Sequence, residues 1–544
     1  KERGGGGGAL RRGLGFLDTG RRLQEDKIHR KGQKEKDGVT GEMDRAKHMT
    51  KNIKFAVAGE VLLAVGNLVS RRAFILLLGK EYLGINSLFT DVLSMLSLAE
   101  LGFSGSITYS LYRPVAQGNT EIVKSLMRLY RRVYRLIGLL ILALGLCLTP
   151  FLGFFIKEMP ENISNIPLIY VLTLINASVS YFFSYKSTLL LVNQKKYIET
   201  AIRVTVTLLA ISVQIIVLLL TRNYIYYLFL SIGATVIQNS LISVKTDKLY
   251  PCLREKDIRP LPKETLEEIS RNVRALLIHR IGSVAVFNTD NLLISKFVGI
   301  ATAGLYSNYM MIRRFLNIMT GALFDAITPV LGNMAATETE KRKQNAFSQL
   351  DFFSAWLFGW MSICLFCLYD PFIDIWLGRG YLLSGPAVML IVANFYVTNM
   401  RTPVLNMKSV LGLFWDDRYK AILEAVFNLV ISIILARKWG IEGIMTGTLI
   451  STLALPFWFE PWILYRRGLN MVLRKYFIRY MKYLAVTVAV GTITWLLCRM
   501  TRGDIGGFLL KAVICGVVPN IGYLIAYRRT EEFRFFSFLF TSLL

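Results

Sequence analysis

Residues 130–157 read YRRVYRLIGLLILALGLCLTPFLGFFIK, and no charge occurs between Leu136 and Ile156. At about 1.5 Å per residue a helix of that length covers roughly 30 Å, the thickness of a bilayer's hydrocarbon core. The stretch therefore reads as a membrane-crossing helix. Working outward from it, apolar spans of similar length recur at 53–79, 84–112, 166–193, 199–220, 224–245, 273–298, 302–335, 350–376, 383–411, 420–438, 441–465, 476–499 and 506–528. With the quoted stretch these make fourteen spans, and the expected fold class is an all-α, polytopic membrane protein.

Composition agrees. Nine apolar residue types supply 53% of the 544 residues before 42 Gly are counted, whereas soluble domains reach roughly 45–50% with Gly included. With 19% charged residues and 14 Pro, disordered, collagen-like and disulfide-rich classes are excluded as well. The formal net charge is +27, but Lys and Arg stand in short patches between the apolar spans. That pattern orients a chain in a membrane, and no nucleic-acid partner is expected from it.

Orientation follows from alternate loops. The loops after even-numbered spans hold the basic clusters: Lys124, Arg128, Arg131 and Arg132; Lys248, Arg254, Lys256, Arg259 and Lys263; Arg466, Arg467, Arg474 and Lys475. The opposite loops offer little beyond Lys80, Lys157, Arg222, Arg379, Arg437 and Arg502, so both termini are expected in the cytoplasm. Residues 1–48 begin with Lys, carry a run of five Gly and lack apolar periodicity. They read as a disordered basic tail or, with Met43 and Met49 just before the first span, as an over-extended reading frame.

The longest internal polar segment, 246–272, contains Pro251, Pro260 and Pro262 and divides the chain into an N-lobe (49–245, spans 1–6) and a C-lobe (273–466, spans 7–12). Residues 467–544 hold spans 13 and 14 and a short tail. The lobes open alike: Gly79 and Gly84 flank one turn, Gly299 and Gly304 the other, and polar loops follow near Ala116 and Ala335. Two matches in register indicate a duplicated six-helix unit. Because six is even, both copies start on one side, so the lobes are expected to be related by a pseudo-twofold along the membrane normal, an arrangement of transporters.

An ionisable side chain at mid-membrane costs about 2.5–3.5 kcal/mol on insertion scales and needs a partner, a wet cavity or a function. Glu60, Asn67 and Arg71 share one face of the first span, with Arg72 beside them; Ser87 and Asp91 share a face of the second. Span 7 carries His279, Arg280, Ser283 and Asp290; span 8 carries Arg313, Arg314, Asn317 and Asp325; span 4 adds Lys186 after an aromatic cluster, Tyr181 to Tyr185. A cavity between lobes lined by Arg71, Arg72, Lys186, Arg280, Arg313 and Arg314, with Asn67 and Asn317, would be cationic and suited to a diphosphate. Arg presents a planar fork that matches phosphate oxygens and stays charged when desolvated. Glu60, Asp91, Asp290 and Asp325 are the candidates for coupling to H+ or Na+.

The structural alternatives are internal ion pairs of Arg71 or Arg72 with Glu60 or Asp91, and snorkelling of Lys186 and Arg280 toward the interface. Cys364 and Cys367 have redox-motif spacing, but in an apolar helix they read as small hydrophobes. No phosphate loop, His-Glu-x2-His or nucleophile elbow occurs, so no catalytic residue, metal or cofactor is expected.

The stretch LSMLSLAELGFSGSITYSLYRP (93–114), then HRIGSVAVFNTDNLLIS (279–295) and Gly304-Leu-Tyr-Ser-Asn-Tyr, resembles the polysaccharide-transport branch of the multidrug/oligosaccharidyl-lipid/polysaccharide (MOP) exporter superfamily, the Wzx-like flippases. The resemblance covers about residues 50–528. It implies a two-lobed bundle in a bacterial cytoplasmic membrane that moves an undecaprenyl-diphosphate-linked oligosaccharide to the outer leaflet by alternating access. It further implies glycosyltransferases and a polymerase of the same pathway as partners, besides membrane lipids. In such flippases basic residues on the first helices of each lobe line the cavity, and Arg71 or Arg72 with Arg313 or Arg314 match that placement. Fourteen spans also suit a peptidoglycan-precursor flippase. Cation-coupled multidrug efflux shares the fold, and a membrane polysaccharide polymerase is disfavoured by the short external loops.

Overall fold

The computed structural model describes residues 58–160, 162–255, 260–267, 269–271, 273, 289–413 and 420–536. These are helical throughout, with no strand among them. Nine helices are long and apolar enough to cross a membrane among the described residues, and the chain is a multi-pass membrane protein. The N-lobe contains α1 (Ala58–Leu78), α2 (Lys80–Leu96), α3 (Leu101–Ala116), α4 (Thr120–Leu148), α5 (Ile166–Tyr181), α6 (Lys196–Thr221) and α7 (Tyr224–Leu249). After the linker, α8 (Ile300–Thr337), α9 (Glu340–Leu377), α10 (Gly385–Asn399), α11 (Thr402–Val410), α12 (Lys420–Ala454) and α13 (Pro456–Ile463) form the second half. The chain then adds α14 (Leu473–Arg499) and α15 (Ile505–Tyr527).

Several expected spans prove to be broken helices. The second is split into α2 and α3 by a 3-10 turn, Ser97–Glu100, whose Glu100 accepts a 2.7 Å hydrogen bond from the Tyr134 hydroxyl. The fourth breaks after Tyr181, where Ser180 and Ser187 turn their hydroxyls back onto the backbone and loosen the ladder. Conversely, α12 is a helical hairpin: Gly440 takes φ +57°, ψ −127°, so the chain reverses there and the expected spans 420–438 and 441–465 stand as separate crossings. Of the seventh span only Val273 and Thr289–Val298 lie within the described residues.

Gly79 and Gly299 both sit at positive φ, +94° and +140°, and each starts the helix that follows it. Those two helices, α2 and α8, pack directly on each other. A Cβ on Gly304 would fall 2.4 Å from the Lys80 carbonyl oxygen and 3.0 Å from the Gly84 amide nitrogen, and one on Gly84 would fall 2.0 Å from the Ile300 carbonyl oxygen. Equivalent residues of two copies touch each other only on the axis that relates them, so the paired glycines mark that axis. Gly304→Ala is expected to destabilise the protein by about 1–3 kcal/mol, as overpacking does. Gly321→Ala on the same helix, where an added Cβ meets nothing within 4 Å, is the control in a thermal melt.

The two appended helices pack on each other and on α9. Trp356 and Trp360 of α9 donate their indole N–H to Asn520 and to the Cys515 carbonyl at 2.8 and 2.9 Å. Asp351, buried on α9, pairs with Arg479 of α14 at 2.7 Å. Elsewhere in this half four charges are buried together. Arg401, in the turn between α10 and α11, reaches Glu460 of α13 at 2.7 Å and Glu424 of α12 at 3.1 Å; Lys420 also bonds to Glu460. Two acids balance two bases, which is what allows them to stay ionised away from water.

Candidate functional site

Helices from both halves enclose a cavity of about 1130 Å³. One wall is α1, with contributions from α2, α6 and α7; the other is α8 and α9, and Phe508 of α15 closes one end. Most of the lining is apolar. Its polar groups are Glu60, Asn67, Ser70 and Arg71 on α1, Asn86 on α2, Arg203 on α6, Tyr227 on α7, Arg314 on α8, and Trp360, Cys364 and Tyr369 on α9. Three Arg against one Glu leave it cationic.

Arg71 joins the two halves within the cavity. Its Nε donates to Asn308 Oδ1 of α8 at 2.7 Å, and its Nη2 donates to the Ser307 hydroxyl. Both acceptors are neutral, so the pairing with Glu60 or Asp91 that α1 and α2 suggested by sequence is not formed. Glu60 instead accepts from Arg203 at 2.7 Å. An Arg has five N–H donors; among the described residues these bonds commit two, which leaves three for a ligand.

The other expected residues divide clearly. Asn67 and Arg314 line the cavity with Glu60 and Arg71. Arg72, Arg313, Asn317 and Asp325 do not; Arg72, Asn317 and Asp325 are exposed, and Arg313 is half-buried beside Arg314. Lys186 lies within the N-lobe, where its ammonium donates to Asp247 and Ser243 of α7 at 2.7 Å each. Arg280, His279 and Ser283 lie outside the described residues. Arg203, a cavity residue absent from the expectations, stands only a few residues into the span 199–220 and near Lys195 and Lys196, so its signal resembled that of an interfacial base.

Two of the expected carboxylates meet near the lobe junction. Asp91 Oδ2 of α2 accepts from Asn291 Nδ2 at 2.6 Å, and the same amide nitrogen donates to Ser87 at 2.8 Å. The adjacent Asp290, buried, accepts from Thr448 of α12 at 3.0 Å, and Asn428 donates to Thr448 at 3.1 Å. Arg313 acts electrostatically on Asp290, and Arg314 on Asp91. Asn291 Oδ1 and Asn428 Oδ1 are buried without a hydrogen-bond partner among the described residues. Two acids with spare oxygen acceptors, Asp91 held by the amide of Asn291 and Asp290 by Thr448, are suited to taking up a proton or a small cation.

Two helical halves around one cavity make up the described fold. Solved structures share it across nearly their whole length. A structure described as the lipid II flippase MurJ, inward closed conformation, superposes with a TM-score of 0.64 at 13% identity, covering 88% of this chain and 99% of that one. An inward-facing multidrug resistance MATE family transporter of the MOP superfamily gives 0.62 at 13% identity, covering 75% and 96%. A mutant of the Vibrio cholerae MATE transporter VcmN gives 0.53 at 14%, covering 78% and 99%. The chain thus has the fold of MOP transporters. No known family description and no curated protein matches its sequence.

Proposed function

We propose that this protein is a flippase for a polyprenyl-diphosphate-linked oligosaccharide in a bacterial cytoplasmic membrane. The observation that carries the reading is the Arg71 guanidinium, anchored by neutral groups in a cationic cavity that spans both halves. With Arg203 paired to Glu60, Arg71 and Arg314 still leave the cavity cationic, which favours an anionic cargo over a cationic drug. Its volume exceeds the roughly 300–1,000 Å³ of drug-sized ligand sites. Val61, Val65 and Ile318 line it yet are 46%, 56% and 47% exposed, so its open side is apolar, as a lipid tail left in the bilayer requires. The MurJ likeness favours a lipid-linked cargo of this kind, and lipid II is the nearest alternative.

The contacts between halves gather toward the end that bears the Gly79 and Gly299 turns: Arg71 to α8, and the Trp376 indole to the Leu68 carbonyl at 3.2 Å. With the orientation expected from the basic loops, that end faces outward and the cavity faces the cytoplasm, ready to receive cargo made there.

The test is leaflet access of a fluorescent undecaprenyl-diphosphate oligosaccharide in proteoliposomes, with lipid II and a cationic dye as parallel cargoes. Faster transfer of the first than of either other supports the reading; transport of the dye alone overturns it. Asp91 and Asp290 supply the coupling in this scheme. Asp290→Asn is expected to reduce the stimulation of transfer by an imposed H+ or Na+ gradient at least fivefold while transfer without a gradient changes less than twofold. Equal stimulation in wild type and variant removes Asp290 from the coupling role.

A further inference from the structure

Four of the six cysteines, 364, 367, 498 and 515, come from three helices and converge where α14 and α15 pack on α9. Cys364 and Cys367 are one turn apart on one face of α9. Cys498 lies near the end of α14, and Cys515 faces it from α15 with its Sγ 3.8 Å away. The sulfurs of Cys367, Cys498 and Cys515 all lie within 4.8 Å of one another, and all three residues are buried. Cys364 is half-buried, its Sγ reaches the Cys515 carbonyl at 3.6 Å, and it lines the large cavity.

We propose that these cysteines form a thiolate site for one soft d10 cation, zinc or copper(I), with Cys367, Cys498 and Cys515 as ligands and Cys364 as the fourth donor and route of approach. Thiolates held about 2.3 Å from a tetrahedral zinc stand about 3.8 Å apart, which is the Cys498–Cys515 separation. A disulfide requires sulfurs about 2.05 Å apart, so the helices would have to close on each other to form one. Soft sulfur ligands, with no carboxylate or imidazole in the group among the described residues, select thiophilic cations over magnesium or calcium. Each thiol that ligates gives up one proton, through Cys364 and the cavity to water. Four thiolates leave two negative charges on zinc and three on copper(I), of which Lys511 of α15, which acts electrostatically on Cys498, offsets one. The bound ion would tie the appended α14–α15 pair to α9.

The purified full-length protein, reduced and stripped with a chelator in detergent, is offered zinc or copper(I) alone, and bound metal is counted after gel filtration. One equivalent per chain is expected with at least one of the two cations, together with a raised melting temperature. Cadmium as a probe should give a thiolate charge-transfer band. Cys367→Ser combined with Cys515→Ser is expected to weaken binding at least a hundredfold, while Cys147→Ser leaves it unchanged. Failure of folded, fully reduced wild-type protein to take up either metal would overturn the site and leave the cysteines as packing groups. A Cys498–Cys515 disulfide in protein prepared without reductant would overturn it too. The strip-and-reload measurement needs no variant, so a variant that misfolds leaves the test intact.

Discussion

Arg71→Ala is expected to slow leaflet transfer of the diphosphate-linked cargo by tenfold or more while the protein remains folded in the membrane. A hydrogen bond to a charged group contributes about 1.5–3 kcal/mol, or roughly ten- to a hundredfold in an equilibrium. The lost guanidinium also served as the anchor between α1 and α8. Ser307 keeps its bond to the Gly304 carbonyl, and only the Asn308 amide loses a donor, so transport should fall by more than the single lost anchor costs in stability. Arg71→Lys keeps the charge but not the fork, and should lie between. Arg72→Ala is the natural control, since the neighbouring side chain is exposed and does not line the cavity. Transfer by Arg71→Ala at the wild-type rate would remove the residue from the binding site.

The largest loss of stability is expected at a residue with no part in transport. Glu460→Ala removes the carboxylate that Arg401 and Lys420 share and leaves Glu424 on Arg401. Removing one partner from a buried ionic cluster costs about 3–5 kcal/mol, because the remaining charge has no water to solvate it. The exposed Glu338–Arg342 pair on consecutive turns contributes about 0–1 kcal/mol, and Glu338→Ala is the comparison. Denaturation midpoints of the two variants in the same detergent decide the matter. If Glu460→Ala is no less stable than Glu338→Ala, the cluster is not what fixes α10, α11, α12 and α13 to one another.

The fold was readable because its information is local. Uninterrupted apolar runs such as 136–156, and the matching glycine turns at Gly79 and Gly299, need no knowledge of distant residues. Part of the cavity was readable for the same reason: Glu60, Asn67 and Arg71 fall on one face of one helix, and the face holds whatever packs opposite it. Partners were another matter. Glu60 finds its cation 143 positions away at Arg203, and Lys186 finds its acid on α7, choices that only the crossing of helices settles. The quartet around Arg401 escaped notice because each member lies near the end of an apolar span, where a charge needs no explanation. The cysteines were hidden differently: their spacing was visible on α9, but the meaning depends on α14 and α15 folding back against that helix.

The glycine contact between α2 and α8 bears on how such a molecule can be watched at work. When two bodies rock about a shared line, points on the line stay put while points far from it sweep the widest arcs. Gly84 and Gly304 stand where the backbones are already as close as they can come, so in the proposed transport cycle this crossing would act as a fulcrum. Spectroscopic labels placed beside it should report the same separation in every state. Labels on α1 near Glu60 and on α8 near Ile318, well out along the levers, should report the opening and closing of the cavity.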